Sequence, residues 1–300
     1  MRSYRRKLWN YPLFQIPLVC FGLCLAIAAL FWLLGFGRPQ VAVAIALDLS
    51  SSTGQIEQFE RPNTVMNQEI KAVQAYLKKN NGDILRRPNQ VKVFGFGNKV
   101  ESLTGNFDTN SDKVENSLVK ALRSEGLDQK LETGSTDIDL AVRTGINSLR
   151  TVSNRCRELI LVTDGQGNVS PAAIAEAKLR KVKINSVVVG SEAIALRGAA
   201  FATGGKYLSG NSNDLSAFFT RDFFSSFNSN FKWIIFWLGL AWISLMWMLL
   251  LPLDRWLFQG LLKMRIDQSG KLALAQALFW TVLTLSAIWR FWGIPFLAGC

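Results

Sequence analysis

Residues 42–54 read AVAIALDLSSSTG. With Val41 in front, the stretch is an apolar run of β-branched or small residues. It ends in an acid and a cluster of hydroxyls: Asp48, Ser50, Ser51, Ser52 and Thr53. A continuous apolar run of this length is the pattern of a strand buried on both faces of a parallel sheet. In open α/β sheets, ligands sit where such strands end. Asp48, Ser50 and Ser52 are therefore expected to project together from the sheet rim, all offering oxygen, which suits hard cations such as Mg2+. Taken alone, Asp-x-Ser-x-Ser is also the pattern of a plain turn or helix N-cap.

Outward from this stretch, strands and helices alternate. Val65, Ile70, Val73 and Leu77 fall near a helical period and close on Lys78-Lys79. Residues 91–96 and 100–103 are strand-like and joined through Gly97-Asn98-Lys99, an edge hairpin. The Gly95/Gly97 pair belongs to that turn; no Gly-rich phosphate loop with its Lys-Ser/Thr ending occurs there. Residues 112–122 read as a helix. A hydroxyl- and Gly-rich loop, Thr133-Gly134-Ser135-Thr136-Asp137, then leads into an apolar periodic run from Ile138 to Leu149. Asp137 and Asp139 are read as first-turn helix acids rather than ligands. A second buried strand, 159–162, ends in Thr163-Asp164-Gly165, again an acid at a strand's carboxyl end. Pro171 opens the next helix behind Ser170. A strand at 182–189, a helix at 194–202, a short edge strand at 206–208 and a last helix at 215–224 follow. The fold class predicted is α/β, a doubly wound, Rossmann-like sheet.

Asp48, Ser50, Ser52, Thr136 and Asp164 thus come from three loops that such a sheet can bring to one rim. Two carboxylates and three hydroxyls form a five-donor set for an octahedral Mg2+. Asp48-Leu49-Ser50-Ser51-Ser52, Gly134-Ser135-Thr136 and Thr163-Asp164-Gly165 resemble, in order and spacing, the three parts of the metal-ion-dependent adhesion site (MIDAS) of von Willebrand factor A (VWA) domains. Thr203-Gly204-Gly205-Lys206-Tyr207 is similar to that family's C-terminal helix-turn-strand. The resemblance spans residues 40–225. It implies that Ser50, Ser52 and Thr136 are direct or near-direct metal ligands, that Asp48 and Asp164 often act through waters, and that a partner's carboxylate completes the shell. Mg2+ is the expected cofactor, with Mn2+ or Ca2+ as alternatives.

Three further runs are long and apolar enough to span a bilayer. Residues 13–36 carry no charge over 24 positions and 233–253 none over 21; the first would reach ~36 Å as a helix, against a hydrocarbon core of ~30 Å. The third covers 272–292, with Arg290 near its far end, placed to snorkel. Trp9, Trp32, Trp233, Trp256, Trp289 and Trp292 lie at or near the ends of these runs, as an aromatic belt requires. The chain of 300 residues carries a net charge of +12. Residues 40–225 hold 23 Lys/Arg against 20 Asp/Glu, whereas the rest holds 11 against 2. The basicity therefore reports membrane topology rather than nucleic-acid binding. Arg2, Arg5, Arg6 and Lys7 precede the first run, and Arg255, Lys263, Arg265 and Lys271 lie between the second and third. The expected order is a basic cytoplasmic segment at 1–12, a span, the domain at 40–225 on the non-cytoplasmic side, a span, a cytoplasmic loop at 254–271 and the last span. The first run is read as an uncleaved anchor, because it exceeds a signal peptide's apolar core. The arrangement resembles the membrane-anchored VWA proteins of bacteria, some of which lie in aerotolerance operons. This implies a multi-pass protein of a bacterial inner membrane.

The sequence contains no histidine, which excludes His-based acid/base chemistry and His-ligated metals. Its four cysteines, Cys20, Cys24, Cys156 and Cys300, form no zinc-site or disulfide-framework spacing. The expected function is non-enzymatic: a divalent cation at the sheet rim captures the acidic side chain of a protein partner, in adhesion or assembly. The alternatives are an accessory subunit of an ATPase-driven assembly machine and a metal-dependent hydrolase. The first is disfavoured by a domain placed across the membrane from cytoplasmic ATP, the second by the lack of a nucleophile-base pair.

Overall fold

Eight consecutive buried residues, Val41–Asp48, form the strand around which this fold is built. The computed structural model describes residues 8–53, 55–56, 59–62, 64–82, 87–165, 167–190 and 192–296. Arg2, Arg5, Arg6, Lys7 and Cys300 lie outside the described residues. In chain order the elements are α1 (Pro12–Leu34), β1 (Val41–Asp48), α2 (Val65–Asn81), β2 (Gln90–Phe96) and β3 (Val100–Ser102). Then come α3 (Ser111–Leu122), α4 (Leu127–Leu131), α5 (Ile138–Arg150), β4 (Cys156–Thr163) and α6 (Pro171–Leu179). The strand β5 (Val182–Val189), α7 (Ile194–Thr203) and β6 (Tyr207–Gly210) follow, and a helical segment α8 covers 215–227. Two long apolar helices, α9 (Phe231–Leu261) and α10 (Ile266–Trp292), end the described chain. The chain divides into two units, residues 39–229 and residues 8–38 with 230–296.

In the first unit the strand order is β3-β2-β1-β4-β5-β6, parallel throughout except for β3, which runs antiparallel to β2. This is the doubly wound sheet the alternation predicts. Side chains alternate across a strand, and β1 uses the alternation unequally. Val41, Val43, Ile45 and Leu47 face one core, with α2, α3 and α8. Ala42, Ala44 and Ala46 face the other, with α5, α6 and α7. The small residues let α5 lie close to the sheet: a Cβ on Gly145 would stand 2.6 Å from Leu159 Cδ1.

The helices start where the sequence places caps. Thr64, Asn110, Asp137 and Ser170 each accept a backbone N–H from the first turn that follows. The sequence does not announce the short α4. The last helix also differs from the regular 215–224 span expected: it runs to Phe227 and passes through a π segment, Phe218–Phe223. Its Phe219, Phe223, Phe224 and Phe227 are buried, and Tyr76 of α2 meets Phe219 and Phe224 edge-on at 6.3 and 5.4 Å. Cys156, without an evident partner in the sequence, is disulfide-bonded.

In the second unit, α1, α9 and α10 are long and apolar enough to cross a membrane, and much of their apolar surface points outward, with Val19 67%, Trp32 70% and Val282 65% exposed. A soluble surface would not tolerate such a girdle; the chain is a membrane protein. Small residues mark the close contacts: Ala241, Ala273 and Ala277 are buried, and a Cβ on Gly239 would strike Ile288 Cδ1 at 2.4 Å. Asn230 Nδ2 donates to the Phe36 carbonyl at 2.9 Å and also to that of Phe31. Helix α9 does not stop at residue 253 but continues through a π segment to Leu261, and α10 begins at Ile266. The stretch 254–271, expected as a loop, is therefore largely helical. Pro252, which has no N–H to give, directly precedes the π segment.

A polar bracket ties α2 to the strand after it. Asn80 Nδ2 donates to the Asn89 carbonyl (3.0 Å) and to Ser111 Oγ (3.1 Å), Asn80 Oδ1 accepts from Asn89 N (2.9 Å), and Asn89 Nδ2 donates to the Tyr76 hydroxyl (2.9 Å). Asn80 and Asn89 are both buried. Replacing Asn80 by Ala strips buried groups of these partners, and we expect a loss of about 2–3 kcal/mol in chemical unfolding.

Candidate metal centre

Strands β1 and β4 are neighbours, but the chain leaves them in opposite directions across the sheet, so the topological switch point lies between their carboxyl ends. Asp48 is the last residue of β1 and Thr163 the last of β4. The Thr163 hydroxyl donates to Asp48 Oδ2 at 2.5 Å, and the Ser50 N–H donates to Asp48 Oδ1 at 3.0 Å. Ser50 Oγ stands 3.0 Å from Ser52 Oγ, and Ser52 Oγ donates to Asp164 Oδ1 at 2.9 Å. A chain of hydrogen bonds thus links Asp48, Ser50, Ser52 and Asp164, running from the buried Asp48 and Ser50 to the exposed Ser52. Burial pushes the Asp48 carboxyl up. The Ser50 and Thr163 bonds pull it part of the way back, and the negative Asp164 adds to the rise.

The turn itself is held by Thr53, whose buried hydroxyl donates to the carbonyls of Asp48 and Ser50, both at 2.9 Å. Ser51 N donates to the Thr133 carbonyl at 2.9 Å, which seats the 133–137 loop beside the first one. Gly97 lets that loop approach: a Cβ there would stand 2.9 Å from the Leu131 carbonyl oxygen and 3.3 Å from both Thr133 Cα and the Ser135 carbonyl oxygen. Asp137 N donates to the Gly97 carbonyl at 2.8 Å. Thr136 is exposed on this loop and lies outside the hydrogen-bonded chain that joins the other four. The glycine read as part of a turn is therefore the residue that admits the Thr136 loop.

Residues 43–166, which carry all five of these side chains, match the von Willebrand factor type A domain family. The chain carries a von Willebrand factor type A domain. Among solved structures, an aerotolerance-related membrane protein from Bacteroides fragilis NCTC 9343 is similar, at 17% identity over 61% of this chain and 98% of that one, with a TM-score of 0.44. The BatB protein of Bacteroides thetaiotaomicron is similar at 16% identity, over 62% of this chain and 98% of its own, with a TM-score of 0.46. A third, proximal thread matrix protein 1 from the mussel byssus, solved with a zinc-occupied MIDAS motif, shares 19% identity over 61% of this chain and 47% of its own, with a TM-score of 0.42. No curated protein matches by sequence.

The donor chemistry of the VWA rim fits a hard cation. Every converging atom is oxygen, and they stand within hydrogen-bond distance of one another at an accessible edge. Among the described residues no cluster of three or more His, Cys, Asp or Glu side chains forms a competing site. Three residues that sequence reasoning passed over complete the surroundings. Thr163 and Thr53 position Asp48 and its turn. Glu69, in α2, is fully buried, and burial, with Asp48 and Asp164 nearby, pushes its carboxyl well above the usual glutamate range.

Asp139 lies in the first turn of α5, as expected, whereas Asp137 stands just before the helix as its N-cap. Asp137 caps α5 through Leu140 N at 2.9 Å. Asp139 braces α5 against the N-cap of α6: it accepts from Arg143 Nε (2.7 Å) and from Ser170 N (2.8 Å), while Arg143 Nη2 donates to Ser170 Oγ (2.9 Å). Burial pushes the Asp139 carboxyl up, but the Arg143 and Ser170 bonds outweigh it and hold it below the usual aspartate range. A carboxyl held low stabilises the fold above its unfolded-state pKa, and that contribution fades as pH falls through its folded value. Asp139→Asn is therefore expected to cost about 1 kcal/mol at pH 7, with the gap to wild type closing below about pH 4 in thermal unfolding.

Proposed function

We propose that this membrane protein holds a divalent cation, Mg2+ in the first place and Mn2+ or Ca2+ as substitutes, at Asp48, Ser50, Ser52, Thr136 and Asp164, and through it binds a carboxylate of a partner protein. The observation that carries this reading is the hydrogen-bonded convergence of Asp48, Ser50, Ser52 and Asp164 at the sheet's switch point. The bound cation would supply Lewis acidity. The chain's own residues supply neutral hydroxyl donors and two acids, a set that leaves room for an external oxygen ligand. The role proposed is binding rather than catalysis, since the sequence has no histidine to serve as a general base beside the rim hydroxyls.

The domain is assigned to the non-cytoplasmic side of a bacterial inner membrane. The basic residues Arg255, Lys263, Arg265 and Lys271 gather around the α9–α10 junction, and the Arg255 guanidinium lies 4.6 Å from the Tyr11 ring centroid at the start of α1. One end of the helical unit thus gathers the positive charge that marks the cytoplasmic face. The disulfide at Cys156 suits an oxidising compartment on the opposite side.

Calorimetry with Mg2+ on the detergent-solubilised chain tests the site. Affinity is expected between micromolar and millimolar, since the cation keeps several waters. Ser52→Ala should weaken it by at least about tenfold and Ser51→Ala hardly at all; equal affinity in Ser52→Ala and wild type would remove the cation reading. Topology has its own check. A cysteine introduced at Asn110 should react with a membrane-impermeant maleimide in intact spheroplasts, and one introduced at Lys263 only after lysis. The reverse pattern rejects the orientation.

A further inference from the structure

Glu69 stands in the second turn of α2, on the stripe that Met66, Ile70 and Val73 bury against the sheet. It has no exposed surface, and neither carboxylate oxygen has a hydrogen-bond partner among the described residues. The other buried glutamate, Glu158, shows what a satisfied acid looks like in this fold: it accepts from Asn185 Nδ2 at 2.9 Å and pairs with Lys183 Nζ at 3.4 Å. Among the described residues Glu69 has no such cation. The charged groups that act on it are Asp48 and Asp164, the two acids of the rim. Its helix is rooted in the same loop, because Met66 N donates to the Thr53 carbonyl at 3.2 Å and Thr53 holds the turn between Asp48 and Ser50.

A buried carboxylate with neither donor nor cation is strongly unfavourable, and two acids nearby make it more so. An amide or an apolar side chain of the same size would be more stable there. Burial and the two rim acids favour the neutral form of Glu69, so its ionisation gains only from something positive, and the all-oxygen rim whose acids act on it is the feature built to take a positive ion. We propose that Glu69 is a third acidic group of the cation site, a counter-charge inside the fold that strengthens the hold on a divalent cation without reaching the solvent. The inference rests on the cation reading of the rim. Loss of the negative charge removes attraction in a low-dielectric setting, where it is felt most.

The test uses the full chain in detergent, with Mg2+ alone as the probe, and compares wild type, Glu69→Gln and Glu69→Met. Both variants are expected to bind Mg2+ about tenfold more weakly by calorimetry. With chelator present, both should unfold at a higher temperature than wild type, because the uncompensated acid is gone. The rise in unfolding temperature that Mg2+ produces should shrink in both. A residue with a merely structural role would shift the unfolding temperature equally with and without Mg2+ and leave the affinity alone. That result, or wild-type Mg2+ affinity in both variants, overturns the proposal while leaving the rim's cation reading standing. If wild type itself takes up no divalent cation, the reading of the rim fails, and the role of Glu69 with it.

Discussion

The carboxylate of Asp48 is the constraint from which the rest of the site follows. It lies at the dry end of β1, where a charge is expensive unless donors surround it. Thr163 supplies one donor from the next strand and the Ser50 backbone supplies another from the turn. The first depends on the register of β1 against β4, in which Leu47 stands opposite Val162. A slip of one residue would send the Thr163 hydroxyl to the other face of the sheet and leave Asp48 without it. The second depends on the turn that Thr53 locks. Sheet register and loop geometry therefore meet in one side chain, and Ser52 and Asp164 extend the same chain of bonds to the solvent.

Much of this was legible in the sequence because the strongest signals are local. β1 announces itself by an unbroken apolar run, and the start of α6 by Pro171 behind Ser170. The rim acids announce themselves by their place at strand ends. What was not legible depends on residues distant in the chain. Thr163 reads as the last residue of a strand, and nothing nearby says that its hydroxyl serves an acid 115 positions earlier. Gly97 reads as a turn residue, yet its lack of a side chain matters because the 133–137 loop passes over it. Glu69 interrupts a helical apolar stripe, and an acid in such a pattern ordinarily marks the solvent edge; only its burial among Met66, Ile70 and Val73 shows otherwise. The π segments of α8 and α9 likewise leave no periodic trace.

Each unit has a hydrogen-bonded asparagine at its edge. Asn228 closes the VWA side by donating to the Phe224 carbonyl at 2.7 Å, and Asn230 opens the helical side through the carbonyls of Phe31 and Phe36.

Charge sets the character of the rim. Buried Asp48 and partly exposed Asp164 would together balance a divalent cation, and Glu69, if ionised, would tip the loaded site to the negative side. The VWA domain as a whole is close to neutral, with 23 basic against 20 acidic residues over 40–225. No long-range positive field therefore draws an acidic partner in, and such a field would in any case decay within about 8 Å at physiological ionic strength. On the proposed cation reading, the attraction would arise at contact, from a partner oxygen reaching the ion, because the neutral hydroxyls of Ser50, Ser52 and Thr136 would leave its Lewis acidity largely unspent. Such a site would discriminate by geometry: a carboxylate that reached the ion would gain a bond, and one held a few ångströms short would meet only the acids Asp48 and Asp164.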